Sequence, residues 1–205
     1  KCYEGIEGQT IDISGGTIDI VSSDDGLNAA GGTDQSGFGG SSDCCITISG
    51  GAIRIDASGD GIDSNGDLNV SGGEIYVSGP MSDGDSALDY DSTATVTGGT
   101  VVAAGYSGMA QNFGANSTQG SILLTCQSAS TETIRVTDAS GNVLAEFAPA
   151  KAYNCVVVSI PALTQGSTCT VTMGGQSTDV TLESLIYGSG GMGGGMGGQP
   201  GGGMG

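Results

Sequence analysis

The segment ITISGGAIRI, residues 46 to 55, has apolar residues at alternate positions on both sides of a Gly-Gly pair. Alternation of this kind is typical of a β-strand with one buried face, because successive side chains of a strand point to opposite sides. The same pattern recurs as IDISGGTIDI (11 to 20), LNVSGGEIYV (68 to 77) and ATVTGGTVVA (94 to 103). Four versions of one strand, turn and strand unit indicate an internally repeated, all-β fold.

The spacing of the Gly-Gly pairs favours one architecture. The second glycines lie at positions 16, 51, 73 and 99, so the shortest spacing is 22 residues, and the others, 26 and 35, fit the same repeat with insertions of 4 and 13 residues. Short strands in a repeat of this length are typical of one coil of a parallel β-helix, in which coils stack about 4.8 Å apart. An antiparallel sandwich of four similar hairpins is the alternative.

The pattern changes after residue 120, which divides the chain into three predicted parts. Residues 1–120 are the β-helix coils. Residues 121–187 contain alternating apolar segments separated by turn sequences such as ASGN (139 to 142), which predict a small antiparallel β unit that caps the coils. Residues 188–205 include 12 glycines and predict a linker-like tail. The glycine-rich insertion at 31–43, with Phe38 at its tip, is either a binding loop or a disordered one.

The chain is strongly acidic, with 22 Asp and Glu residues against 4 Lys and Arg residues and a net charge of -18. Such a field repels phosphate backbones and anionic lipid, so we predict no nucleic-acid partner, and the lack of a long apolar run predicts no membrane insertion. The acidic residues lie inside the repeats, which favours bound cations over a disordered acidic tail. The absence of histidine and of any CxxC pair argues against zinc.

Six cysteines in a chain rich in Gly, Ser and Thr predict disulfides and an oxidising, extracellular location. The sequence does not decide among the pairings. Cys44 and Cys45 are adjacent, so we expect them to have different partners, and a bridge between Cys155 and Cys169 across neighbouring strands is one option. The chain shows no signal peptide, which fits a processed protein or a fragment.

Acidic residues also recur at fixed positions in the repeats. Aligning the repeats on the apolar residue of DGI (60 to 62) places Ile6, Leu27, Ile62 and Leu88 in register. Carboxylates stacked about 4.8 Å apart would repel by roughly 3 to 4 kcal/mol per pair at an effective dielectric near 20, so a cation is expected between them. Calcium, with oxygen ligands at about 2.3 to 2.6 Å, suits this spacing better than magnesium at about 2.0 to 2.1 Å.

The residues on either side of the aligned apolar position are the expected calcium ligands. They are Glu4, Glu7, Asp24, Asp25, Asn28, Asp60, Asp63, Asp85, Asp89 and Asp91. Asx turns at the corners of the coils, a frequent role for Asp and Asn beside Gly, are the alternative explanation.

Several of these stretches resemble a known family. YEGIEG (3 to 8), IDISGGTIDIVSSDDGLNAAGG (11 to 32), ASGDGIDSNGDL (57 to 68), ALDYD (87 to 91) and SGMAQ (107 to 111) are similar to a bacterial extracellular family of carbohydrate-binding domains. The resemblance, which runs from Lys1 to the glycine-rich tail, implies a calcium-loaded right-handed parallel β-helix, similar in architecture to pectate lyases, that binds cellulose and acidic pectic polysaccharide. It also implies further coils before YEGIEG, whereas the cysteines depart from the family pattern.

We therefore expect an extracellular, cell-surface protein that binds polysaccharide with the help of calcium. An ion that the protein does not fully saturate can bridge a protein carboxylate and a sugar carboxylate. Aromatic stacking is the usual route to neutral sugars such as cellulose. The aromatic residues expected to contact sugar are Phe38, Tyr76, Tyr90 and Tyr106.

Two other functions stay open. The first is a subunit of a surface fibre that self-associates by stacking of coils or by exchange of a strand or the tail. The second is a polysaccharide lyase, which needs a base beside a calcium-neutralised uronate. In the absence of histidine, the candidate bases are Lys1, Arg54, Arg135 and Lys151. Only Arg54 lies in a clear repeat, and we expect it to pair with Asp56, so we predict no enzymatic activity.

Overall fold

The computed structural model describes residues 1–30 and 43–189 of the 205-residue chain. These residues form 16 β-strands and no helix, which confirms the all-β class. No segment among them could cross a bilayer as a long apolar helix. Phe38 and the predicted tail from residue 190 onward lie outside the described residues.

The repeats contribute strands to two sheets. The short parallel sheet consists of β1 (Ile6–Gly8), β3 (Leu27–Ala29), β5 (Ile62–Ser64) and β7 (Leu88–Tyr90), in that order. The second sheet, called the long mixed sheet below, contains the longer strands of the repeats: β2 (Thr10–Ser22), β4 (Cys45–Ala57) and β6 (Asp67–Ser78). The last repeat contributes β8 (Ala94–Val96) and β9 (Thr100–Gly105), which both pair with β6. All of these pairings are parallel.

The first three Gly-Gly pairs each bend one long strand, the fourth lies between β8 and β9, and none of them closes a hairpin. Ile13 pairs with Ile48 and Ile18 with Ile53, so that β2 and β4 run side by side with register shifts only around the glycines. The second glycine of each pair has φ between 86° and 103°, a region that glycine adopts at little cost. Because the strands pair between repeats, the hairpin-sandwich alternative is wrong.

The residues after the repeats extend the second sheet and build a third. The long mixed sheet continues from β9 through β13 (Tyr153–Ser159), β10 (Ser121–Ser130) and β16 (Ile186–Tyr187). The separate antiparallel sheet has the order β12 (Val143–Phe147), β11 (Ile134–Asp138), β14 (Thr168–Met173) and β15 (Gln176–Thr181). The fold is thus mixed, with parallel pairing in the repeats and mostly antiparallel pairing after them.

The main core lies where the short parallel sheet packs against the long mixed sheet. Its residues include Leu27, Ile62 and Leu88 from the former and Ile46 and Ile75 from the latter, all almost completely buried. Burial of each such side chain contributes about 1.5 to 3 kcal/mol. The alternation of apolar residues within each repeat therefore reflects a sheet that has one face buried in this core.

A second core joins the long mixed sheet to the antiparallel sheet. Strand β9 faces both cores, because Val101 and Ala103 belong to the first and Val102 and Ala104 to the second. A strand that is buried on both faces carries a continuous apolar run, as in VVAA (101 to 104). Phe147, from the antiparallel sheet, packs on the other side of the second core.

The cysteines do not form the expected disulfides. All six are free thiols in the structure. Cys155 lies on β13 in the main core and Cys169 on β14 in the second core, so the two are not on neighbouring strands and the predicted bridge between them is wrong. Cys44 and Cys45 likewise have no disulfide partners: Cys44 fills the main core as a small apolar side chain, and Cys45 lies beside Thr47 and Asn69.

Candidate metal centre

The short parallel sheet brings the predicted acidic residues into register. Ile6, Leu27, Ile62 and Leu88 pair from strand to strand, which confirms the alignment expected from the sequence. The next residue of each strand forms a row along the outer side of the sheet. Its members, in order, are Glu7, Asn28, Asp63 and Asp89.

A second row of acidic residues directly precedes a glycine in the first three of the four aligned repeats, at Glu4, Asp25 and Asp60. The N–H of Gly26 donates to the carbonyl oxygen of Asp60 at 2.9 Å, and the N–H of Gly5 donates to that of Asp25 at 3.0 Å. Alanine in place of Gly26 would put its Cβ against the Gly61 carbonyl of the next repeat, so only glycine permits this close approach. The DG pair therefore holds successive carboxylates one strand spacing apart.

Three carboxylates from the two rows meet in one cluster. Asp25, Asp60 and Asp63 each offer an oxygen, and these oxygens all lie within 4.8 Å of one another. All three residues are half-buried. None of the ion pairs found among the described residues involves them. The cluster thus brings three carboxyl groups together, and no basic side chain of the described residues forms an ion pair with them.

Burial makes the charged form of this cluster costly. It raises the pKa of Asp60 to about 8, with neighbouring carboxylates such as Asp89 adding to the effect and the hydrogen bond from the Ser86 N–H opposing it. Burial likewise raises the pKa of Asp63 to about 7 and that of Asp25 to about 6. Without a cation, Asp60 and Asp63 therefore bind protons at neutral pH to a large extent, and a bound cation would replace these protons.

Asn28 adds a neutral oxygen beside the carboxylates. Its Nδ2 donates to Glu4 Oε2 at 3.1 Å, and it pairs in register with Asp63. Its Oδ1 is buried and has no hydrogen-bond partner among the described residues. A buried acceptor without a donor is unfavourable unless a cation or another group satisfies it. Carboxylate and amide oxygens without nitrogen or sulfur ligands fit calcium, a hard cation.

The remaining predicted ligands surround this cluster but are not part of it. Asp89 is held by Gln111, whose Nε2 donates to Asp89 Oδ1 at 2.9 Å, and its charge contributes to the raised pKa of Asp63. Asp85 accepts a hydrogen bond from the Ser82 hydroxyl. Glu7 and Asp91 are exposed, whereas Glu4, Asp24 and Asp85 are half-buried. Sequence reasoning missed Gln111, for which the only signal is the SGMAQ stretch after β9.

The predicted sugar-contacting tyrosines have structural contacts. Tyr76 stacks at 5.2 Å, ring centre to ring centre, on Phe147 between the long mixed sheet and the antiparallel sheet. The Tyr90 hydroxyl donates to the Asn112 carbonyl oxygen at 2.6 Å. The Tyr106 N–H donates to the Pro80 carbonyl at 3.1 Å, which ties its backbone to the loop after β6. Phe38, the fourth predicted contact, lies outside the described residues.

The expected ion pair between Arg54 and Asp56 is wrong. Arg54 lies over the ring of Tyr76, with its guanidinium carbon 5.1 Å from the ring centre. Asp56 instead pairs with Lys151, whose Nζ is 2.9 Å from Asp56 Oδ1. Arg54 and Asp56 are two residues apart on one strand, but the long-range contacts with Tyr76 and Lys151 decide their partners.

The fold and the cluster define a class of protein: an all-β, repeat-built chain with a row of half-buried carboxylates along its short parallel sheet. No protein-family model, no curated protein and no solved structure matches this chain.

Proposed function

We propose that this protein is an extracellular, cell-surface protein that binds polysaccharide, acidic pectic chains above all and cellulose as the weaker alternative, through calcium held along a right-handed parallel β-helix. The observation that carries the proposal is the meeting of Asp25, Asp60 and Asp63 oxygens within 4.8 Å. The resemblance of DGIDSNG (60 to 66) and its neighbours to carbohydrate-binding domains supports it from the sequence.

The donor set accounts for the choice of ion. Oxygens that all lie within 4.8 Å of one another can share one calcium ion, whose ligand oxygens are at most about 4.6 to 5.2 Å apart. Magnesium would draw them to about 4.1 Å and retains its water more strongly. Asp25, Asp60 and Asp63 would hold the ion, and the buried Oδ1 of Asn28 is available as a fourth oxygen.

Calcium also explains how an acidic protein could bind an acidic sugar. Calcium takes about 6 to 8 oxygen ligands, more than these four side chains supply in single contacts. Because the aspartates are only half-buried, a uronate carboxylate or a sugar hydroxyl can complete the shell. The ion then provides the attraction that a chain with a net charge of -18 lacks.

Calorimetric titration with calcium, followed by polygalacturonate, tests this function. We expect calcium to bind the native protein, and polygalacturonate to bind more tightly in calcium than in excess chelator or in magnesium alone. The double variant Asp60→Asn, Asp63→Asn should lose calcium binding and the calcium-dependent gain in polygalacturonate affinity. Asp12→Asn, at an exposed position on β2, is the control for the loss of a negative charge outside the cluster. A polygalacturonate affinity that is the same in calcium and in chelator would contradict the proposal.

A second candidate, a fibre subunit, is favoured by the edge of the long mixed sheet, where, among the described residues, β2 pairs with β4 on one side and only with Cys2, at Ser22, on the other. Strand β2 is the last strand of that sheet and is 13 residues long. Ile11 and Ile13 on β2 remain 6% and 7% exposed, whereas Ile46 and Ile48 on β4 are fully buried. A long edge strand can pair with another chain. Electron microscopy and sedimentation with and without calcium test this candidate, and a monomer under both conditions would contradict it.

We propose no catalytic role. A lyase base must reach the proton that it removes. Arg54, the only candidate base within a clear repeat, lies over the Tyr76 ring, and Arg135 pairs with Glu146 at 2.6 Å. An ultraviolet assay for unsaturated product on polygalacturonate tests this proposal, and product formation would contradict it.

A further inference from the structure

An open cleft of about 600 Å³ lies at the end of β2. The three aspartates of the carboxylate cluster are not among its lining residues. The side chains that matter for the argument below are Lys1, Tyr3, Ser22, Asp56, Ser58 and Lys151. The cleft combines a basic group, hydroxyls and an exposed aromatic ring, and a volume of this size suits a small ligand.

The cleft is locally basic in an acidic protein. Lys1 and Lys151 are two of only four Lys and Arg residues in the chain, and among the described residues the cleft has one lining carboxylate, that of Asp56. Two ammonium groups against one carboxylate leave one positive charge in excess. Such a balance favours a singly charged anion, such as a carboxylate, over a doubly charged phosphate.

Lys151 is held in place by the repeats. Its Nζ pairs with Asp56 Oδ1 at 2.9 Å and donates to the Ala57 carbonyl oxygen, and its side chain is only 18% exposed. An ammonium group has three N–H donors, so one remains for a ligand oxygen. Because the group is already oriented by two bonds, little entropy is lost when a ligand carboxylate accepts the third.

Ser22 supplies a buried hydroxyl that has no hydrogen-bond partner in the described part of the chain. The residue is only 5% exposed, and its Oγ makes no hydrogen bond among the described residues. A buried hydroxyl without a partner is unfavourable, so a ligand group that bonds to it gains affinity. The neighbouring Ser58 hydroxyl donates to the Ser22 carbonyl oxygen at 3.4 Å and keeps its lone pairs for a ligand donor.

Tyr3 adds an apolar surface at the cleft. The residue is 70% exposed, and it lines the cleft. An exposed aromatic ring beside hydroxyl groups can stack on the apolar face of a sugar ring at a small cost in conformational entropy.

We propose that this cleft binds one uronate unit of the acidic polysaccharide. Lys151, assisted by Lys1, takes the sugar carboxylate. Ser22 and Ser58 bond to sugar hydroxyls, and Tyr3 stacks on the ring. The inference rests on the proposed function and adds to it a subsite that binds uronate directly, without a metal ion.

Calorimetry with trigalacturonate in calcium tests the cleft, and cellotriose and methyl-esterified trigalacturonate serve as uncharged counterparts. We expect Tyr3→Ala to weaken trigalacturonate binding by about three- to tenfold, and Lys151→Gln by about tenfold. The uncharged ligands should bind the native protein more weakly than trigalacturonate and be insensitive to Lys151→Gln. Tyr187→Ala and Arg135→Gln, which do not line the cleft, are the matched controls.

Ser22→Ala separates a ligand contact from a structural role. Because the variant removes a buried hydroxyl without a partner, the melting temperature of the free protein should stay the same or rise while trigalacturonate affinity falls. Amide NMR shifts of Ser22, Ser58 and Lys151 on addition of the sugar should locate the ligand in the cleft. Shifts confined to the carboxylate cluster would overturn the inference.

The outcomes distinguish this inference from the proposed function. If chelator or Asp63→Asn abolishes trigalacturonate binding and the cleft variants bind as the native protein does, the cleft is wrong and the calcium bridge stands. If the cleft variants weaken binding and chelator has no effect, the cleft stands and the calcium bridge is wrong. If trigalacturonate does not bind the native protein, both are overturned.

Discussion

Asp25 accepts, through Oδ1, a hydrogen bond of 2.7 Å from the backbone N–H of Asp60, the equivalent residue of the next repeat. Asp60 in turn accepts one from the N–H of Ser86. Each carboxylate therefore connects two repeats and also contributes an oxygen to the cluster. Loss of the charge and loss of the whole side chain should accordingly have different effects.

Asp25→Ala should lower the free energy of unfolding by about 1 to 3 kcal/mol, because the N–H of Asp60 loses its acceptor. Asp25→Asn should cost less, since an amide oxygen can still accept that bond. Both variants should weaken calcium binding. Urea denaturation in chelator measures the first effect, and calorimetry measures the second. Equal losses of stability in the two variants would show that the hydrogen bond is not responsible.

The stability of the metal-free protein should fall as pH rises from about 4 to about 8. Burial raises the pKa values of Asp60 and Asp63 to about 8 and about 7, from an ordinary 3.8, so the folded state binds more protons than the unfolded state in this interval. The free energy of unfolding therefore decreases with pH there. Urea denaturation in chelator at several pH values measures this slope.

Two comparisons check the origin of that slope. Asp60→Asn should remove much of it, because the amide does not titrate. Saturating calcium should oppose it, because the ion binds the ionised carboxylates of the folded state. A stability in chelator that is constant or rises over this interval would mean that the cluster is not protonated in the folded protein.

Gly26→Ala should destabilise the protein by about 1 to 3 kcal/mol or more. Its Cβ would overlap the Gly61 carbonyl oxygen and the Ile55 Cγ2 atom, so neighbouring repeats would have to separate. Gly15→Ala is the control, because no heavy atom lies within 4 Å of the added carbon. Urea denaturation should show a change within about 0.5 kcal/mol for this control. Similar losses in both variants would contradict the close approach of the repeats.

The free thiols should be detectable by reagent titration. In the native protein, Cys2, which is exposed, should react rapidly, whereas Cys155 should resist because it is buried and burial raises its pKa to about 12. All six thiols should react after unfolding in denaturant without a reductant. Mass spectrometry of the alkylated protein identifies the modified positions. Fewer than six reactive thiols in the unfolded protein would show that disulfides are present.

The register of the carboxylate rows could be predicted because the pattern repeats. Ile6, Leu27 and Ile62 each follow a glycine at the same place in a repeat, and their burial in one core leaves a single alignment. A shift of one residue would turn the apolar side chains to solvent, which excludes neighbouring registers. The alignment of the repeats alone predicts that Asp63 lies beside Asn28, and the strand register confirms it.

The partners of the basic residues and cysteines could not be predicted in this way. Lys151 meets Asp56 and Ala57 because the chain after the repeats folds back against them, 94 residues after Ala57. Strand β13 likewise joins the last repeat strand, β9, and this places Cys155 in a different core from Cys169. No repeated pattern in the sequence encodes these contacts.

The sequence by itself determined the all-β class, the repeat and the rows of acidic residues. Alternation of apolar residues is a local property, and it recurs in each repeat. Only the tertiary structure decided which three aspartates meet, which basic residues pair and where a cleft opens. These depend on contacts between segments far apart in the chain, where side-chain packing and burial, and not local preference, select the partner.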